Sequence, residues 1–105
     1  MISRLVKEKG IVEFLDAAKC LYADNRNLYF LLIGDRLASD HAAEVGAILK
    51  DTKREMGNNL ILTGLRSDIP QLLSIMNVYC LPSWREGMPR TIIEAMMMQK
   101  PVIAT

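Results

Sequence analysis

Leu28-Tyr29-Phe30-Leu31-Leu32-Ile33-Gly34-Asp35 is a continuous apolar run that stops at a glycine and an aspartate. A strand with one wet face alternates apolar and polar residues. This stretch does not alternate, so it predicts a strand covered on both faces, as in a parallel sheet. Upstream, Ile11, Phe14, Leu15, Ala18, Leu21 and Tyr22 recur at helical spacing, and Met1 to Ser3 has the look of a strand's tail. Downstream, Ser39 and Asp40 are N-cap types. They precede a helix with Val45, Ile48, Leu49, Thr52 and Met56 on one face, ended by Gly57-Asn58.

The alternation continues. Leu60 to Thr63 predicts a strand closed by Gly64, and Ser67 or Asp68 predicts the cap of a short helix with Pro70 in its first turn and Leu72, Leu73 and Met76 inward. Val78 to Leu81 predicts a strand stopped by Pro82. A helix over Arg90 to Met98 and a strand over Val102 to Ala104 follow. Alternating strands and helices with non-alternating apolar strands define an α/β fold. The expectation is a Rossmann-like parallel sheet of about five strands with helices on both faces and right-handed crossovers. Residues 1–105 make a single partial domain, because the first strand is a stub and the last has no helix after it.

Composition narrows the function classes. The 13 basic and 12 acidic residues leave a net charge of +1, with no basic excess to grip nucleic acid. Half of the residues are hydrophobic, which excludes disorder. Cys20 and Cys80 carry no pairing pattern, and Cys80 sits in an apolar run, so the reading is a reducing, cytoplasmic compartment. No signal peptide and no run of transmembrane length is present.

Ligands of open parallel sheets bind beyond the carboxyl ends of the strands. Here those ends hold Arg4, Gly34-Asp35, Gly64-Leu65-Arg66, Ser83-Trp84-Arg85-Glu86-Gly87 and Thr105. Arg4, Lys7 and Lys9 lead into the first helix, where free N–H groups and the positive dipole end favour an anion such as a diphosphate. A solvated charged loop is the plain alternative. Neither a Walker pattern nor Gly-x-Gly-x-x-Gly is present.

In Glu86-Gly87-Met88-Pro89-Arg90-Thr91-Ile92-Ile93-Glu94, two glutamates stand eight apart, one before a helix and one within it. Helical side chains tilt toward the N-terminus, which leans Glu94 toward Glu86. Gly87 lets a backbone approach a ligand, and Pro89 suits the first helical position. Glu94 lies in an almost wholly apolar helix, so a burial of its carboxylate demands hydrogen-bond donors. Sugar hydroxyls supply them, and an ion pair with Arg90 is the alternative. Cations on the phosphates and carboxylates on the hydroxyls give a consistent division of labour. Hydrogen bonds to charged groups contribute roughly 1.5–3 kcal/mol each. Trp84 is equally suited to stacking on a ring or packing under its loop, Met96 to Met98 read as core fillers, and His41 as a surface residue. No Cys/His cluster has metal-ligand spacing.

These blocks resemble the retaining glycosyltransferases of family 4, also called group 1. Ser3-Arg4-Leu5-Val6-Lys7-Glu8-Lys9-Gly10 is similar to their Gly-Arg-Leu…Lys-Gly segment, and Leu81-Pro82-Ser83 with Arg85-Glu86-Gly87-Met88-Pro89 to their Pro-Ser…Glu-Gly-Phe-Pro stretch. Glu86 and Glu94 match the Glu-x7-Glu signature. Glu94-Ala95-Met96, Lys100 to Thr105, Asp68 to Leu73 and Asn77-Val78 fit as well, so the resemblance spans nearly the whole chain.

The resemblance implies half of a GT-B enzyme: the C-terminal, nucleotide-sugar-binding domain, without its acceptor domain. It implies catalytic roles for Arg4 and Lys9 on the donor diphosphate and for Glu86 on the transferred sugar. Glu94 would hold the ribose, Gly87 and Met88 would offer backbone amides, and Leu65 would lie near the base. It implies retention at the anomeric carbon, no metal and no cofactor beyond the nucleotide sugar itself, a parent able to associate with membranes, and polysaccharide or glycolipid assembly. Ser3 stands where glycine is usual, the Gly34-Asp35-Arg36 loop lacks a second glycine, and Gln99 replaces a helix-end glycine. A left-handed Gln99 would cost about 1–2 kcal/mol.

Two other readings compete. A non-catalytic Rossmann-like binding or regulatory module shares the alternation, and an inactive gene fragment shares the motifs. A glycosidase would also use two carboxylates but has no need of the Arg4/Lys9 cluster. With the acceptor domain absent, no transfer is expected from these 105 residues alone.

Overall fold

A computed structural model describes residues 1–37 and 43–105; Ser39, Asp40 and His41 lie outside the described residues. Helix α1 (Ile11–Asp24) is followed by strand β1 (Phe30–Leu32), helix α2 (Ala43–Met56) and strand β2 (Leu60–Leu62). Helix α3 (Ile69–Ile75), strand β3 (Tyr79–Leu81), helix α4 (Arg90–Met97) and strand β4 (Val102–Ala104) complete the order.

All strand pairing within the ladders is parallel, as the apolar runs require. β1 pairs β2 with Phe30 opposite Leu60, and β3 pairs β4 with Tyr79 opposite Val102. The α/β class follows the expectation, but the strand count is finer-grained than one continuous sheet of about five. Two two-stranded ladders form, and Met1–Ser3 joins β1 through a single parallel bridge, Ile2 to Ile33. Ile33 N–H donates to the Met1 carbonyl (2.9 Å) and Ser3 N–H to the Ile33 carbonyl (3.0 Å).

β1 is also shorter than the apolar run. The Leu28 N–H turns back to the Asn25 carbonyl and Tyr29 is exposed, so pairing begins only at Phe30. The Asn59 amide holds the approach to the strand, donating to the carbonyls of Arg26 and Leu28 at 2.8 Å.

The helical stripes bury as the periodicity predicts. Ile11, Phe14, Leu15 and Ala18 of α1 and Val45, Leu49, Thr52 and Met56 of α2 are buried, and the two helices pack on each other. Leu21 departs from the pattern: it is half exposed at the last turn, beyond the reach of the core, while Tyr22 packs on the core and carries Arg26 over its ring. Thr52 is accommodated because its hydroxyl donates to the Ile48 carbonyl. α2 ends at Gly57, whose φ is +58, and Lys53 caps the turn by donating to the carbonyls of Gly57 and Leu60. Asp68 precedes α3 without making a side-chain cap. Its carboxylate is taken instead by the Arg66 guanidinium through two hydrogen bonds of 2.8 and 2.6 Å.

α4 overturns an expectation. It packs on β3 and β4, yet only Ala95 is fully buried; Ile93, Met96, Met97 and Met98 are exposed. The methionines are therefore not core fillers in this chain, since nothing among the described residues covers their side of the helix. The helix begins at Arg90 as expected and ends one residue earlier, at Met97, with Pro89 as its cap and not its first residue. Its end is a Schellman turn: Gln99 N–H donates to the Met96 carbonyl and Lys100 N–H to the Ala95 carbonyl. Gln99 sits at φ +57, the left-handed conformation in which glycine is favoured.

Gln99→Gly is accordingly expected to raise stability by about 1 kcal/mol, read as a higher urea midpoint at unchanged slope.

Candidate functional site

The loops that follow the parallel strands meet at one end of the fold. The first is a 3-10 turn over Lys7–Lys9, closed by Gly10 N–H donating to the Lys7 carbonyl. Gly10 has φ +74, and an added Cβ would lie 1.8 Å from the Pro82 carbonyl oxygen. A side chain is thus excluded twice, by conformation and by the backbone of the β3 loop. Trp84 N–H donates to the Glu8 carbonyl at 2.9 Å, and the Trp84 indole N–H to Glu13 Oε1 at 2.9 Å. Ser83, buried, points its hydroxyl toward the carbonyls of Arg85 (3.1 Å) and Glu8 (3.3 Å). Thr105 reaches in from beyond β4 and donates to the Ser83 carbonyl at 2.8 Å.

This stitching brings Lys9 to Glu86 across 77 positions of sequence. Lys9 Nζ lies 2.9 Å from Glu86 Oε1, with side chains only 24% and 22% exposed, and 3.5 Å from the Arg85 carbonyl. Partial burial works against ionisation of Glu86. The hydrogen bond and charge of Lys9, helped by the Ser83 hydroxyl, outweigh it and hold the carboxyl below its ordinary value.

The pair borders an open pocket of about 200 Å³. Its floor is Ile2 and Leu81, and its rim carries Ser3, Met88, Arg90 and Thr91 besides Lys9 and Glu86. Ligand sites for small molecules run to roughly 300–1,000 Å³, so the pocket matches part of such a ligand. Thr91 is fixed from below: Tyr79, fully buried, donates its hydroxyl to Thr91 Oγ1 at 2.6 Å, and burial raises the phenol's pKa.

Of the residues expected in a site, the structure gathers Lys9, Glu86 and Met88 at the pocket. Arg4 is exposed on the preceding loop, outside the lining. Glu94 is half-buried on α4, one turn beyond Arg90 and Thr91, and also outside the lining; among the described residues it forms no ion pair with Arg90. Leu65 stands exposed on the loop after β2. Gly87 faces open space, with nothing within 4 Å of an added Cβ. The fold itself therefore does not require a glycine there. Trp84 is three-quarters exposed while its indole is anchored, so it does not pack under its loop. Tyr79 and Glu13 carried no signal that singled them out, and Ser83 was marked only by its place at a strand end and in the Pro-Ser motif. Among the described residues, no three His, Cys, Asp or Glu side chains gather as a metal site, and no helix is long and apolar enough to cross a membrane.

The Rossmann-like α/β arrangement is that of the GT-B glycosyltransferases. A crystal structure of Anabaena HepE in complex with UDP and glucose superposes with a TM-score of 0.83 at 30% identity, covering 98% of this chain and 28% of that one. The whole of residues 1–105 matches the family Glycosyl transferases group 1, and the chain belongs to that family. It is 32% identical to the Escherichia coli UDP-Gal:alpha-D-GlcNAc-diphosphoundecaprenol alpha-1,3-galactosyltransferase, covering 100% of this chain and 27% of the relative. It is also 32% identical to the Staphylococcus aureus capsular polysaccharide biosynthesis glycosyltransferase CapM, over 99% of this chain and 26% of that protein. The chain thus spans about a quarter of the length of these curated relatives.

If Lys9 is what keeps the Glu86 carboxyl acidic, Lys9→Met should move its titration upward toward the ordinary carboxylate value. A pH titration of the side-chain carbonyl carbon by NMR would follow it. An unmoved midpoint would contradict the assigned cause.

Proposed function

We propose that residues 1–105 form the C-terminal, donor-binding domain of a GT-B enzyme of family 4. The parent transfers a sugar from a nucleoside diphosphate to an acceptor with retention at the anomeric carbon. The observation that carries the reading is the junction of Lys9 and Glu86 beside a pocket at the carboxyl ends of parallel strands. A cation and a carboxylate side by side suit a ligand that carries phosphates next to hydroxyls.

Lys9 and Arg4 hold the diphosphate and stabilise the charge that develops as it leaves, which removes the need for a metal. Glu86 accepts from hydroxyls of the transferred sugar, and Glu94 from the ribose. The open face of Gly87 admits a ligand to the backbone, whose amides at Gly87 and Met88 serve as further donors. Leu65 lies on the side where the base would rest. Uridine is the proposed base, since HepE structures are described with UDP, with UDP and glucose, and with UDP-glucose. The names of the relatives support an acceptor in surface polysaccharide or lipid-linked oligosaccharide assembly. The acceptor site is assigned to a domain outside these residues. A cytoplasmic location suits a soluble nucleotide-sugar donor.

UDP should bind in ligand-observed NMR, and Glu94→Ala should weaken it about tenfold or more, the equivalent of one charge-assisted hydrogen bond. Binding of ADP or GDP instead would reassign the base. Absence of binding by the folded protein would remove the donor-site reading.

A further inference from the structure

At the pocket Lys9 and Glu86 satisfy each other. Both side chains are about three-quarters buried and 2.9 Å apart, and Lys9 helps hold the Glu86 carboxyl below its ordinary value against partial burial. A diphosphate that binds Lys9 competes with Glu86 for the charge and donors of one ammonium. The carboxylate then faces incoming negative charge with a shared partner, and its partial burial is less well compensated. Hydroxyl donors adjoining the phosphates would restore a partner to it. An intact nucleotide sugar brings such donors and a bare nucleoside diphosphate does not.

We infer that the Lys9–Glu86 ion pair makes Glu86 a discriminator, favouring the intact nucleotide sugar over the nucleoside diphosphate left after transfer. The inference rests on the donor-site reading above. It adds that Glu86 acts against one ligand as well as for another. Its practical result is easier departure of the spent diphosphate: as it leaves, Lys9 returns to Glu86, and the pocket closes its own charge balance. Specificity of this kind comes from a repulsive element built into the site, not from an extra attraction.

The test is calorimetric titration of the full-length protein with UDP and with UDP-glucose, in the wild type and in Glu86→Gln. The amide is nearly isosteric, and Glu86 lies in an open loop; matched thermal melts check folding. Glu86→Gln should bind UDP more tightly and UDP-glucose no more tightly, so that the preference for the sugar nucleotide falls about tenfold, the equivalent of one charge-assisted hydrogen bond. Unchanged or weaker UDP binding in the variant, or an equal shift for both ligands, would overturn the inference while leaving the donor site intact. A wild type that binds neither ligand would overturn the donor-site reading and this inference with it. A second readout needs no variant: the Glu86 carboxyl should titrate higher with UDP bound than with UDP-glucose bound, and equal midpoints would count against the proposal.

Discussion

The contact of Gly10 with Pro82 is the constraint on which the arrangement of the pocket depends. The Gly10 Cα approaches the Pro82 carbonyl so closely that no side chain fits between them. Because Gly10 also starts α1 in a left-handed conformation, one residue sets both the helix's entry angle and its distance from the β3 loop. The hydrogen bond from Trp84 to the Glu8 carbonyl and the hydroxyl of Ser83 then hold the two loops in register. Lys9 and Glu86 meet as a result of that clasp, and each comes from a segment whose course is already determined by backbone contacts. A rigid surround of this kind is what an ion pair needs if it is to keep one geometry at a partly exposed site.

Much of this was legible in the sequence because the signals were periodic or positional. The run Leu28 to Ile33, buried at Leu32 and Ile33, announced a parallel strand through its lack of alternation. The stripes of α1 and α2 followed from 3.6-residue spacing, and the left-handed Gln99 from the helix-end glycine that the family resemblance puts there. Lys9 and Glu86 were legible as types of residue at strand ends. Their direct contact was not, because it depends on a loop-to-loop distance that no spacing encodes. Tyr79 shows the same limit: its position in an apolar strand predicted burial but not a hydroxyl aimed at Thr91 under the pocket.

α4 went astray for a different physical reason. An apolar helix is expected to be covered on all sides. Here Ala95 meets the β3–β4 ladder while Met96 and Met97 face outward. Composition states how much apolar surface a helix carries, but whether that surface is covered depends on which other elements are present. The same applies to Leu65, on the loop after β2, and Ile103, in the middle of β4, both well exposed.

Trp84 is the chain's one tryptophan, and its indole nitrogen is tied to Glu13 on α1 from the loop that carries Glu86. These residues therefore contain their own optical probe where the loop after β3 meets α1. A change in the emission of that single chromophore would report the clasp opening, before any loss of helix became visible in circular dichroism.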